Sequence, residues 1–220
     1  MKTCILVPAH NEAQTIGPLV KSLRNRGLSV IVIDDGSVDN SGEIAAQAGA
    51  YVLRNDPRRG KGGSLQRGFD YFLSQDFDNL IIMDGDGQHS VEDIDQFLSK
   101  AKEHPTAIVT GTRMQNPEGM PWLRLWTNRF MSALISAACR QSVPDTQCGF
   151  RLMSREALRD IKITSTGFEI ETEILIKASK KGYKIFSVPI KTIYGNEVSK
   201  INPFKDTIRF VIYIVKEMFS

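Results

Sequence analysis

Short apolar runs alternate with helix-period segments through the first half of this chain, and polar clusters follow most of the runs. Cys4 to Val7, Ser29 to Ile33, Tyr51 to Leu53, Leu80 to Met83 and Ala107 to Thr110 read as strands. Between them, Glu12 to Arg26 carries Ile16, Leu19, Val20 and Leu23 at helical spacing, and Ser41 to Gln47 and Leu65 to Leu73 read as further helices. Ser90 is the N-cap, with Asp93 three residues on, of a helix running to about Lys102. Strand–helix repetition of this kind predicts an α/β fold with a mostly parallel central sheet and helices on both faces.

The second half reads differently. Pro121 opens a helix to about Arg140, whose apolar face holds Trp122, Leu125, Trp126, Phe130, Leu134 and Ile135. That stripe is either core or a surface lying in a membrane interface. Gln147 to Met153 and Ile185 to Ile190 read as strands, and Phe168 to Lys181 as a helix. Pro203 precedes a last amphipathic helix, Phe204 to Phe219, with unbroken apolar residues from Phe210 to Val215. With no linker, repeat or low-complexity segment, one domain is expected. At 220 residues, 41% hydrophobic and 24% charged, the chain has room for one core and is neither a disordered acidic chain nor a membrane bundle.

Charge is uneven. The formal net charge is +3, yet from Lys177 onward nine Lys or Arg face three Asp or Glu, so the rest sums to −3. A basic last quarter suits an anionic ligand, a membrane surface or a solvated face; with no nucleic-acid motif beside it, nucleic acid is set aside. Cys4, Cys139 and Cys148 are odd in number and lack CxxC spacing, and no secretory signal or run of about 18 uncharged apolar residues occurs. The expectation is reduced thiols in a cytoplasmic protein, soluble or peripheral at the cytoplasmic face of a membrane.

Parallel α/β sheets bind ligands at the carboxyl ends of their strands. The polar clusters fall there: Pro8 to Glu12, Asp34 to Ser37, Asp84 to His89 and Gly111 to Arg113. Asp84-Gly85-Asp86 places two carboxylates one residue apart, a set that can converge on a hard divalent cation with Gln88 and His89 nearby; the alternative is a ligand-free Asp- and Gly-rich turn. Asp34-Asp35-Gly36-Ser37 can accept hydrogen bonds from a ribose or base, or cap the helix beginning near Ser41. Arg58, Arg59, Lys61 and the glycines around them suggest either a phosphate site or a solvated basic loop. This is no P-loop, since Asn55 and Gly62 stand where Gly and Ser or Thr are required. His10 and His104 lack spaced partners for zinc, no GxSxG elbow occurs, and Cys148 reads as a small packing residue.

Taken in order, VPAHNEAQTI at 7–16, IDDGSVDNS at 33–41, RGKGGSLQRG at 59–68, MDGDGQH at 83–89, GTR at 111–113, PDTQCGFR at 144–151, GFEIETEIL at 167–175 and SKI at 199–201 resemble the family 2 glycosyltransferases of GT-A fold. Within them the likeness is to the dolichyl-phosphate-mannose-synthase-like branch, and it covers nearly the whole chain. The resemblance implies a nucleotide-sugar-binding half at 1–113 and an acceptor-side half at 114–220, a small α+β extension ending in the amphipathic helix. Pro8, His10, Glu12 and Asp35 would line the nucleotide pocket, and Asp84, Gly85 and Asp86 would face the donor. Asp84, Asp86 and Gln88 would surround Mg²⁺ or Mn²⁺ and the diphosphate. Arg113 would contact a donor or acceptor phosphate, Lys200 would close over the pyrophosphate, and Lys61 would add positive charge there.

Asp86 and Asp145 are the implied catalytic carboxylates. Asp145 acts as base for a hydroxyl acceptor, orients an already anionic phosphate acceptor, or merely caps a turn after Pro144; Glu169 and Glu171 are further candidates for a base. Two positions depart from the pattern: His10 stands where Tyr is usual, and Tyr194 with an insertion occupies the stretch where an arginine precedes the Ser-Lys pair. The implied activity is metal-dependent inverting transfer from a UDP- or GDP-sugar to a polyprenyl phosphate or other lipid-linked or glycan acceptor. A sugar nucleotidyltransferase would show a Gly-rich loop with Arg where this chain has Pro-Ala-His-Asn-Glu. A non-catalytic binding member of the same fold is the other alternative, against which stand the intact Asp84 and Asp86.

Overall fold

The computed structural model describes residues 1–115, 117, 120–167 and 169–191. Seven strands form one sheet: β1 (Thr3–Ala9), β2 (Ser29–Asp34), β3 (Tyr51–Arg54), β4 (Asn79–Ile82), β5 (Ile108–Thr112), β6 (Arg151–Ser154) and β7 (Ile185–Pro189), in the order β3-β2-β1-β4-β6-β5-β7. All neighbours run parallel except β6, which is antiparallel to both β4 and β5. The helices are α1 (Ile16–Asn25), α2 (Ser41–Gln47), α3 (Gly60–Ser74), α4 (Ile94–Glu103), α5 (Trp122–Cys139), α6 (Arg155–Asp160) and α7 (Ile170–Lys180). The predicted terminal helix at 204–219 lies outside the described residues.

Strand alternation divides the core in two. Cys4, Leu6, Ile31, Ile33, Leu80 and Ile82 point to one face, where Leu65, Phe69 and Phe72 of α3, Met131 and Ile135 of α5, and Ile174 of α7 cover them. Ile5, Val7, Val30, Val32 and Ile81 point to the other, against Ile16, Leu19, Val20 and Leu23 of α1 and Ile94 and Phe97 of α4. Burial on both faces is why these strands read as unbroken apolar runs rather than alternating ones.

Three sequence expectations need correction. Residues 12–15 form a turn, with Thr15 N–H donating to the Glu12 carbonyl at 3.1 Å, and α1 starts only at Ile16. The glycine-rich basic stretch is not a loop: Gly60 to Gly63 form the first turn of α3. The strand placed over 147–153 pairs only from Arg151. The helix from Pro121 runs as expected, and most of the apolar stripe that reads as either core or surface points outward: Trp122 is 72% exposed, Trp126 69%, Phe130 61% and Leu134 36%, while Ile135 is buried. The buried face is Asn128, Met131, Ser132, Ile135 and Cys139. Apolar content alone leaves α5 undecided, because Asn128 and Ser132 have polar partners waiting inside, described below.

One buried charge organises the turn before β6. Arg151 is 1% exposed; its Nε donates to the Cys148 carbonyl at 3.0 Å, Nη2 to the Thr146 carbonyl at 2.7 Å, and Nη1 to the Glu171 carbonyl. The buried guanidinium is thereby satisfied by three backbone carbonyls.

Two outcomes follow from this packing. A Cβ at Gly68 would overlap the Leu6 side chain, so Gly68→Ala should lower stability by about 1–3 kcal/mol, read as a lower urea midpoint with an unchanged slope. Burial pushes the thiols of Cys4, Cys139 and Cys148 up to about 12, so a thiol reagent at neutral pH should label none of them until denaturant unfolds the chain.

Candidate active site

The ends of β1 and β2 lie side by side, with Ala9 opposite Asp34, and their turns are stitched together. His10 Nδ1 donates to the Asp35 carbonyl at 3.0 Å. Asn11, at φ 58°, takes the left-handed conformation that Asn tolerates, and its N–H reaches Ser37 Oγ at 3.1 Å. Glu12 N–H donates to Ser41 Oγ at 2.7 Å. Thr15 Oγ1 donates to the Gly85 carbonyl at 2.7 Å, and a Cβ on Gly85 would sit 3.3 Å from the Pro8 carbonyl oxygen, so the β1 and β4 turns are in contact.

Asp35 is 4% exposed and accepts from Asn55 Nδ2 at 2.9 Å, the N–H groups of Arg59 at 2.8 Å and Gly60 at 2.9 Å, and Arg58 Nε at 3.3 Å. Burial alone would raise its carboxyl; the bonds from Arg59, Asn55, Ser64 and Gly60 outweigh it and hold Asp35 below the usual carboxylate range. The amides at the start of α3 thus already have an anion, the protein's own. Asp34 is likewise engaged, by Ser37 N–H at 2.9 Å and Arg54 Nη1 at 3.0 Å.

Lys61, in the first turn of α3, reaches across the strand ends. Its Nζ lies 2.8 Å from Asp84 Oδ1 and 2.7 Å from Glu171 Oε1, the latter in the first turn of α7. Burial opposes the ammonium, but the two carboxylates outweigh it and hold Lys61 protonated well above the usual lysine range. Burial likewise opposes the Asp84 carboxylate, and Lys61 and His89 override it, keeping Asp84 far below the usual range. His89 Nε2 sits 3.6 Å from Asp84 Oδ2, its ring tilted against Phe150 at 5.1 Å. Asp86 Oδ1 accepts from Gln88 N–H at 3.0 Å. Gly149 makes room for this group, since a Cβ there would stand 2.6 Å from Asp84 Oδ2 and 3.2 Å from Glu171 Oε1.

At the end of β5 a second ionic unit is built from three elements. Asp145 is fully buried, and its carboxylate accepts from Arg113 N–H at 3.1 Å, Nε at 2.8 Å and Nη2 at 2.9 Å, and from Asn128 Nδ2 at 2.8 Å. Asn128 Oδ1 in turn accepts from Ser132 Oγ at 3.0 Å, which meets Thr146 Oγ1 at 3.1 Å. This network is what draws the polar side of α5 inward. Burial opposes the Asp145 charge, but Arg113 and Asn128 hold its carboxyl below the usual range. Four donors thus engage this carboxylate, three of them from Arg113, so that it clamps the guanidinium.

The strand-end residues named from the sequence therefore do gather: His10 with Asp35, Pro8 with Gly85, Lys61 with Asp84, and Asp145 with Arg113. Lys200 and the rest of the 199–201 motif lie outside the described residues. Asn55 and Asn128 escaped the sequence reading, although Asn128 left a trace as a polar residue opposite an apolar stripe. Glu171, weighed there as a base, is instead the second carboxylate on Lys61.

The family model for "Glycosyl transferase family 2" matches residues 4–162. A dolichyl-phosphate hexose transferase of Haloferax volcanii is 30% identical over 204 residues, covering 91% of this chain and 86% of its own length. A UDP-N-acetylglucosamine--dolichyl-phosphate N-acetylglucosaminyltransferase of Methanococcus voltae is 28% identical over 213 residues, covering 86% and 85%. Among solved structures, glucosyl-3-phosphoglycerate synthase from Mycobacterium tuberculosis, in complex with Mn²⁺, UDP and phosphoglyceric acid, superposes with a TM-score of 0.73 at 21% identity, covering 99% of this chain and 77% of that one.

Removing the Arg113 clamp leaves a buried guanidinium without its counter-charge. Asp145→Ala should cost about 3–5 kcal/mol of unfolding free energy. Because the folded carboxyl is lowered, its stabilisation is present above the ordinary value near ~3.9 and is lost as pH falls through the folded one. Denaturant unfolding of the wild type should weaken over that acid window, and the Asp145→Ala variant should show a shallower acid loss.

Proposed function

This chain belongs to glycosyl transferase family 2 and has the GT-A fold, and from that premise we propose that it is an inverting, metal-dependent transferase moving a sugar from a UDP- or GDP-sugar to a polyprenyl phosphate. The observation that carries the proposal is the placement of Asp84-Gly85-Asp86 with Lys61 at the end of β4 and of the clamped Arg113 at the end of β5, on the same side of the sheet. The UDP donor is supported by the Methanococcus relative's name and by the UDP in the Mycobacterium complex. The phosphate acceptor is supported by both dolichyl-phosphate relatives. No described helix is long and apolar enough to cross a membrane, and the lipid phosphates in both relatives' names support placing the reaction at the cytoplasmic membrane surface by peripheral contact.

The carboxylates of Asp84 and Asp86 fit a hard cation. Among the described residues no cluster of three or more His, Cys, Asp or Glu donors forms, and Mg²⁺ ordinarily takes one or two carboxylates and completes its shell with substrate phosphates and water. Asp86 with Gln88 and Asp84 would hold Mg²⁺ or Mn²⁺, which when bound compensates the charge growing on the departing nucleoside diphosphate. Pro8, His10, Glu12 and Asp35 shape the nucleotide side of residues 1–113, where Asp35 acts by fixing the start of α3. Lys61 holds Asp84 in place and adds a cation beside the diphosphate. In the transfer, an acceptor phosphate oxygen forms a bond to the sugar's anomeric carbon as that carbon's bond to the diphosphate oxygen breaks, and the nucleotide leaves with the electron pair. Such an oxygen is already anionic, so no base is needed. That agrees with an Asp145 engaged on Arg113, which it orients toward a phosphate on the acceptor side, residues 114–220.

Calorimetry with UDP and with GDP, each with and without Mn²⁺ or Mg²⁺, should find one nucleotide bound in a metal-dependent way. Asp86→Ala should remove that metal dependence and lower turnover by about 10²-fold or more with the fold intact. A variant that stays fully active overturns the metal assignment, and nucleotide binding without turnover toward any prenyl phosphate overturns the acceptor.

A further inference from the structure

Helix α5 has two faces, and among the described residues only one has a partner. Trp122, Trp126, Phe130 and Leu134 recur every four residues along its outer side, joined by Leu123 at 62% exposure and by exposed Ala133 and Ala137. Five of the eight large exposed hydrophobics among the described residues lie on this one helix. The helix carries no acidic residue, while Arg124 and Arg129 are exposed along it and Arg140 is exposed at its C-cap.

Charge selects the occupant. A second copy docking face to face by a two-fold axis would set arginine against arginine. Residues 192–220 of this chain hold four Lys or Arg against three Asp or Glu, so they too offer no net negative surface. An anionic lipid surface complements the arginines, and paired Trp rings with basic neighbours suit the boundary between headgroups and acyl chains. We propose that the outer face of α5 is a docking surface for an anionic lipid bilayer, with Trp122, Trp126 and Phe130 entering the interface.

The inference deepens the polyprenyl-phosphate reading and rests on it for its purpose. On the opposite side of the same helix, Asn128 holds Asp145 at 2.8 Å, and Asp145 holds Arg113. One rigid helix therefore connects the lipid-facing aromatics to the guanidinium assigned to the acceptor phosphate. Docking sets the depth at which a lipid phosphate meets Arg113.

The chain's two tryptophans are both on this face, so its native fluorescence reports the contact directly. The full chain is mixed with vesicles of phosphatidylcholine containing phosphatidylglycerol, and separately with vesicles of phosphatidylcholine alone. The expected result is a shift of tryptophan emission to shorter wavelength and co-sedimentation with the anionic vesicles, at least about tenfold weaker on neutral ones or at high salt. Trp126→Ser with Phe130→Ser should reduce partitioning by roughly a hundredfold while leaving circular dichroism, and transfer to a water-soluble short-chain prenyl phosphate, unchanged.

Emission that stays at long wavelength with anionic vesicles overturns the proposal. So does emission already at short wavelength without lipid: in a monomer the chain's own remaining residues cover the face, and in a dimer a second copy does. Equal binding to neutral vesicles overturns the electrostatic argument. A wild type that docks on anionic vesicles yet transfers to no prenyl phosphate supports the surface and removes the acceptor reading alone.

Discussion

A lysine ammonium placed between two carboxylates ties together three pieces of chain that are distant in sequence: the first turn of α3, the turn after β4 and the first turn of α7. Taking such charges out of water costs several kcal/mol per ion unless partners are close and well aimed. Here Lys61 finds both at under 3 Å, and each carboxylate gains from the same cation. Two negative charges against one positive leave the group net negative before Asp86 is added. A site of that sign, at the ends of parallel strands, favours a further cation over a second anion.

The rest of the architecture serves to keep that lysine where it is. α3 can begin at Gly60 because Asp35 takes the first amides of the helix, and it can lie close to β1 because Gly68 has no side chain to meet Leu6. On the far side, Arg151 fastens the backbone around Gly149, which in turn leaves space for Asp84 and Glu171. Removing any of these supports disturbs the ion group without touching a charged member of it.

Much of this was legible in the sequence. The strands announced themselves because sheets covered on both faces need continuous apolar runs, and their carboxyl ends marked where polar clusters had to be functional or structural. What was not legible depends on distant partners. Gly60 to Gly63 read as a loop because glycine disfavours helix interiors, a penalty offset here by the Asp35 carboxylate across the sheet. That Asn128 and Ser132 turn inward was not read, because nothing local says that Asp145 and Thr146 wait beneath them. Arg151 was placed only within a strand, whereas the carbonyls it serves belong to a turn and to α7. In each case a long-range hydrogen bond overrode a local preference.

The reversed strand β6 has a metric consequence. It lies between β4 and β5, which otherwise run in the same direction, so the Asp84 turn and Arg113 are separated by two strand spacings, roughly 10 Å. Because β6 runs the other way, its beginning and not its end faces the ligand side, and the chain leading into it, from Asp145 to Phe150, forms the floor between the two ionic groups. The sheet therefore acts as a ruler. Its extra strand fixes the spacing between the Asp84 turn and Arg113, a width set by backbone geometry rather than by the side chains at either end.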